Sequence, residues 1–166
     1  MNEKIRKAWK GWAYELVLVM AILVAAHFWQ TRHVQSGRVP DDALRLVDGT
    51  TVRVGGKPLM VHLWATWCGV CRAEEGNVSS VVGDHDVVTI ASDSGSDSEL
   101  RRVMTDRGLS WHVVNDPSGA IARAWGVSAF PTTFYVTSEG TIRTVEVGYT
   151  TTLGMRARLW WAGLGR

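Results

Sequence analysis

Apolar positions along this chain follow two patterns. Leu16–Ala26 is an unbroken apolar run, and the segment from Trp12 to Trp29 has 18 residues. As a helix it measures about 27 Å, close to the hydrocarbon thickness of a bilayer. The remainder of the chain is broken into short units. Thr31–Pro40 (TRHVQSGRVP) is polar and without periodicity, and reads as a tether. Leu44 and Leu46 before Asp48-Gly49, then Val52 and Val54 after it, alternate as a β-hairpin does. Leu59–Ala65 is nearly all apolar, as a central strand covered on both faces would be, and His62 is its one polar member. Arg72–Val82 reads as a helix weakened at Gly76, and Asp86–Ala91 as a second buried strand. Ser96-Asp97-Ser98-Glu99 is a capping-box pattern that opens a helix to Arg107. Ser110–Val114, Thr132–Thr137 and Thr141–Val147 read as strands and Ala120–Trp125 as a short helix closed by Gly126. Thr151–Leu164 reads as a last helix, with Met155, Leu159 and Ala162 on one face. Strands alternating with helices predict an α/β domain around a mainly parallel sheet, with the last hairpin as an antiparallel edge.

Charge orients the N-terminal run. Lys4, Arg6, Lys7 and Lys10 precede it against one acid, Glu3; Trp9, Trp12 and Tyr14 mark one end, Phe28 and Trp29 the other. Basic flank and paired aromatic belts predict a single membrane span with its N-terminus in the cytoplasm and everything beyond it exported. The expected division is a basic cytoplasmic segment at 1–11, a transmembrane signal anchor at 12–29, a linker at 30–40 and a folded domain at 41–166. A signal peptide cut after Val24-Ala25-Ala26 is the alternative, and it exports the same domain. The formal net charge is only +2 and the basic residues beyond the N-terminus are scattered, so no nucleic-acid partner is expected.

The chain has 2 cysteines, Cys68 and Cys71, directly after the expected central strand. Two are too few for a structural disulfide framework, but C-x-x-C spacing closes a small disulfide ring without large backbone movement. At the first turn of a helix, unpaired N–H groups and the positive dipole end favour the thiolate, which is the species that attacks disulfides. The alternative is a binding module that uses the two thiols for copper or another metal. Structural zinc takes four ligands, and His62, His85 and His112 supply no paired histidine motif, so neither a metal nor a cofactor is expected.

Leu63-Trp64-Ala65-Thr66-Trp67-Cys68-Gly69-Val70-Cys71-Arg72-Ala73-Glu74, the Asp-Gly hairpin, Gly56-Lys57-Pro58 and Phe130-Pro131-Thr132 carry a family resemblance. Over roughly residues 41–166 the chain resembles the membrane-anchored, periplasm-facing thiol–disulfide oxidoreductases of thioredoxin fold. These are the Tlp/Dsb-like proteins of cytochrome c maturation, and the Gly69-Val70 pair also resembles the copper-sensitivity-suppressor type. Cys71 and Pro131 lie 60 residues apart, which leaves room for an added helix–strand unit. The resemblance therefore implies an α/β thioredoxin-like fold with an N-terminal β-hairpin and a central helix–strand insertion, preceded by one transmembrane helix. It implies a catalytic domain on the periplasmic side of a bacterial inner membrane. Expected partners are protein thiol or disulfide substrates and a membrane electron-transfer partner. Reduction is the expected direction, and oxidation runs the same path in reverse.

Roles follow residue by residue. Cys68 is the expected nucleophile and Cys71 the resolving thiol. His62, six residues before Cys68, matches the position of the buried acid of thioredoxins, and its imidazole is a candidate base toward Cys71; a core histidine bonded to its neighbours is the alternative. Phe130-Pro131-Thr132 matches the cis-proline segment that presents backbone groups to substrate. With Trp67, Gly69 and Val70 it makes the expected substrate platform. Glu74 and Glu75 fall in the first turns of the helix, where acids suit the dipole; a solvated face is expected for Glu74, and a part in proton transfer is the alternative.

Overall fold

The structure, a computed structural model, describes residues 12, 15–22, 25, 37–40 and 43–164. The chain divides into two units, Met1–His33 and Val34–Arg166. In the first, residues 15–22 are helical and exposed. Among the described residues no helix is long and apolar enough to cross a membrane, and the expected span at 12–29 lies partly outside them.

The second unit begins with β1 (Gly37–Arg38) and a hairpin of β2 (Ala43–Arg45) and β3 (Thr51–Arg53). Two strand–helix units follow: β4 (Leu59–Trp64) with α1 (Gly69–Val82), then β5 (Val87–Ser92) with α2 (Asp97–Arg107). The chain continues through β6 (Val113–Asp116), α3 (Ala120–Ala124), β7 (Thr132–Val136), β8 (Thr141–Val147) and α4 (Thr152–Gly163). Six strands form one sheet in the order β1-β8-β7-β4-β5-β6. All six residues of β4 are buried, as its apolar run requires of a strand covered on both faces.

The sheet is mixed rather than mainly parallel. β4, β5 and β6 run parallel, joined by α1 and α2 as crossovers, while β7 pairs antiparallel with β4 and β8 antiparallel with β7. A parallel addition needs a connection that travels the length of the sheet. The connection at 117–131, which contains the five-residue α3, does not travel it: β7 starts at the end at which β6 finished and runs back. This brings the start of β7, and Pro131 before it, beside the end of β4. The stretch read as a tether also contributes to the sheet at its far end: Gly37 and Arg38 pair with Ile142 and Thr141, and Val39 is buried.

Alternation along β4 sorts the core. Met60 and Trp64 join the layer of Val78, Val81, Leu100, Met104, Met155 and Leu159 from α1, α2 and α4. Val61 and Leu63 face Ala122, Trp125 and the hairpin leucines Leu44 and Leu46. His62 has the parity of Met60 and Trp64, and so points into the α1 layer.

Candidate active site

β4 ends at Trp64, and the turn Ala65–Trp67 leads into α1. Cys68 is the N-cap of that helix: its backbone is extended at φ −79° and ψ 113°, and its Sγ accepts the N–H of Cys71 at 3.1 Å. A sulfur therefore occupies the place of the usual capping oxygen, facing the helix's free N–H groups. Cys68 and Cys71 form a disulfide with their Cα atoms 5.3 Å apart. Reduction would leave Cys68 Sγ at the positive end of a helix dipole, which favours thiolate over thiol.

The Phe130–Pro131 peptide is cis, and the carbonyl oxygen of Phe130 lies 3.6 Å from Cys68 Sγ. Trp67 stacks edge-on against Phe130, with ring centroids 5.9 Å apart, and is otherwise exposed. Its indole N–H donates to the carbonyl of Asp93 at 3.1 Å, which fixes the ring beside the disulfide. Gly69 and Val70 are exposed next to it. Thr132 differs from these: it is buried, and its hydroxyl donates to Ala129 at 2.8 Å within its own loop. The structure thus gathers Trp67, Gly69, Val70 and Phe130 around the disulfide, with Thr132 behind them.

His62 lies below this surface. It is buried, its Nδ1 is 2.9 Å from Thr133 Oγ1, and Trp111 meets it edge-on. Burial pushes its pKa down to about 4, so the imidazole is neutral at physiological pH. Glu74 is the correction. Its expected place is a solvated face, yet it is 0 % exposed. Its Oε1 accepts the N–H of Thr150 at 2.7 Å, and its Oε2 is buried without a partner. Burial pushes this carboxyl up to about 7; the Thr150 N–H acts in the opposite direction, and Glu146 adds to the rise. Glu74 follows Cys71 by three residues, so both sit on the inward face of α1, and both are buried. The spacing Cys-x-x-Glu was the signal available in the sequence.

The segment from the end of β5 through α2 braces the active-site turn. Ser94 Oγ accepts the N–H of Thr66 at 3.0 Å, and Arg107 donates to the Thr66 carbonyl at 2.9 Å and to Glu75 at 2.8 Å. Both members of the Arg107–Glu75 pair are largely shielded from water, at 19% and 15% side-chain exposure. Arg107→Ala leaves a carbonyl and a carboxylate without their donor. It is expected to lower the unfolding free energy of the oxidised protein by about 1–3 kcal/mol. Urea unfolding at fixed pH measures this, and an unchanged midpoint would show that the brace carries no stability.

A thioredoxin-like α/β fold with a C-x-x-C disulfide capping its first helix, beside a cis-proline, defines a thiol–disulfide oxidoreductase. The comparisons narrow the class: residues 35–158 match the model of the Redoxin family, and the chain belongs to that family. A "Thioredoxin-like protein" of Haemophilus influenzae is 27% identical over 164 residues, which are 96% of this chain and 97% of that one. The "Thiol:disulfide interchange protein CycY" of Rhizobium leguminosarum is 30% identical over 66% of this chain and 60% of its own length. The "Thiol-disulfide oxidoreductase ResA" of Oceanobacillus iheyensis is 26% identical over 61% of this chain; this chain covers a little over half of that relative, 57% of it. Among solved structures, a thiol:disulfide interchange protein of Chlorobium tepidum superposes with a TM-score of 0.65 at 23% identity, over 79% of this chain and 98% of that one. The exposed lipoprotein thioredoxin of Streptococcus pneumoniae gives 0.62 at 25% identity, over 72% of this chain and 97% of its own.

Proposed function

We propose that this chain is a membrane-anchored reductase of disulfides in exported proteins, held by residues 12–29 in a bacterial inner membrane with its catalytic domain in the periplasm. One observation carries the chemistry: Cys68 Sγ caps α1 while facing the Phe130 carbonyl at an otherwise exposed rim. In the proposed cycle the Cys68 thiolate attacks a substrate disulfide, the substrate S–S bond breaks, and a mixed disulfide forms as one substrate thiolate leaves. Cys71 then attacks Cys68 Sγ, the second substrate thiol is released, and Cys68–Cys71 ends oxidised by two electrons. A dithiol donor in the membrane restores both thiols. Trp67, Gly69, Val70 and Phe130 make the platform on which an extended substrate segment lies, with Pro131 and Thr132 shaping its edge.

We assign the proton of Cys71 to Glu74. A carboxyl that titrates at about 7 exchanges protons readily at physiological pH, and it lies one helical turn from the thiol. His62 stays neutral there and is engaged with Thr133, so it ranks second as the base.

The direction of flow is testable in cells. Trapping thiols with an alkylating agent in the native envelope should find Cys68 and Cys71 mostly as thiols if the protein is a reductase. A pair found mostly as the disulfide sinks that reading in favour of oxidation. Release of the full chain from membranes by alkaline carbonate would sink the anchor.

A further inference from the structure

Helix α4 is apolar on two opposite faces. Met155, Leu159 and Ala162 fill the core. Leu153, Ala157, Trp160 and Leu164 recur at intervals of three and four residues, so they form a second stripe on the far side, bordered by Trp161. This stripe is bare. Leu153 is 78% exposed, Trp160 69%, Leu164 57% and Trp161 45%. It runs about 16 Å along the helix. Single exposed leucines are ordinary, but an aligned leucine–tryptophan stripe of this length marks a contact.

Three observations say what covers it. Tryptophan combines an apolar ring with one N–H donor, which suits the boundary between headgroups and acyl chains. The chain enters the domain next to the stripe: β1 pairs with the start of β8, and the neighbouring Arg143 lies 5.0 Å above the ring of Trp161. Residues 30–36, between the expected anchor and β1, can reach about 25 Å at full extension. Two of the flanking arginines are neutralised, Arg156 by Asp84 and Arg158 by Glu146 at 2.5 Å, and Arg143 lies over the Trp161 ring. They offer little to an acidic protein, and the attraction is left to the apolar side chains.

We propose that the outer face of α4 lies in the bilayer surface, with Leu153, Trp160, Trp161 and Leu164 at the headgroup–acyl boundary. The inference rests on the anchored reading above and adds an orientation to it. Thr150, which holds Glu74, lies two residues before α4, so the Leu153 end of the stripe is the disulfide end of the domain. The Trp161 end adjoins β1. A domain lying on this face brings the disulfide rim to the membrane plane, where a membrane-embedded dithiol donor meets it.

The test uses the full chain labelled with fluorotryptophan, in phosphatidylcholine nanodiscs that carry a minor fraction of lipid with a nitroxide high on the acyl chain. Fluorine resonances of Trp160 and Trp161 are assigned by Trp160→Phe and Trp161→Phe. Both should broaden at least threefold more than that of Trp125, which is buried in the core layer on the other side of the sheet from α4, and the effect should persist at high salt. Trp160→Glu, on a solvent-facing position, should abolish the broadening at Trp161 without changing insulin reduction. Broadening of Trp12 reports the anchor separately. Trp12 broadened with Trp160 and Trp161 sharp overturns the surface contact and leaves the anchor standing. The converse pattern overturns the anchor and leaves the contact. Protection of Trp160 from a water-soluble nitroxide without lipid broadening, or loss of the contact at high salt, overturns the proposal in favour of a protein partner.

Discussion

Replacing Cys71 by alanine is expected to lower multiple-turnover disulfide reduction by roughly a thousandfold or more, because the two thiols act as one unit. The loss should not be uniform across the cycle. Cys68 keeps its place at the helix start and the positive end of the dipole, so the first attack on a substrate disulfide survives. The resolving thiol is gone, and the mixed disulfide accumulates. In Cys68→Ala the reverse holds. Cys71 lies behind the helix start and is the more buried of the two, at 3% exposure against 8% for Cys68, so it is not the thiol that meets a substrate disulfide first. Non-reducing gels of membranes from cells bearing each variant separate the two. Covalent adducts are expected with Cys71→Ala alone, and the adducts identify the substrates. Adducts of equal abundance in both variants would mean that the roles of the two cysteines are not divided in this way. Full turnover in Cys71→Ala would exclude a dithiol mechanism.

Local signals carry the sequence reading furthest. The capping box at Ser96 forms as its residues dictate, with Ser96 Oγ accepting the Glu99 N–H and Glu99 reaching back to the Ser96 N–H. The alternation around Asp48-Gly49 gives the β2–β3 hairpin in the register Leu44↔Val52. The Cys68–Cys71 disulfide and the cis bond at Pro131 are legible from motifs. What is not legible depends on pairing between distant segments. Periodicity predicts a mainly parallel sheet because it shows where strands lie but not which end a connection returns to. The environment of Glu74 escapes local pattern for the same reason. A glutamate early in a helix is ordinarily solvated, but α4 and the Thr150 backbone, 76 residues later, cover this one. Arg107 holding Thr66 across 41 residues leaves no trace in local pattern either.

Glu74→Gln is expected to remove a loss of stability that the protein suffers as pH rises from about 5 to 8. In the folded protein burial raises the carboxyl to about 7, whereas in the unfolded chain it returns to 4.5. Below pH 4.5 both states hold the proton and the shift contributes nothing. Between those values the folded state binds the extra proton, so stability falls as pH rises, and above 7 the buried carboxylate carries its full penalty. The size is at most roughly 3 kcal/mol, from about 1.4 kcal/mol per unit of pKa. The substituted glutamine does not titrate, and its side-chain oxygen can still accept the Thr150 N–H. The variant should therefore be the more stable protein at about pH 8, with the advantage shrinking toward about pH 5. Urea unfolding of the oxidised protein in mild detergent, with the disulfide kept closed, measures both curves. The kinetics supply an independent check on which group carries the proton. Resolution of the mixed disulfide should show an inflection near pH 7 that Glu74→Gln removes and His62→Leu keeps. If His62 were the base, its pKa near 4 would place the inflection well into the acid range and His62→Leu would be the variant that removes it. An inflection near 7 that survives Glu74→Gln would take the proton away from Glu74.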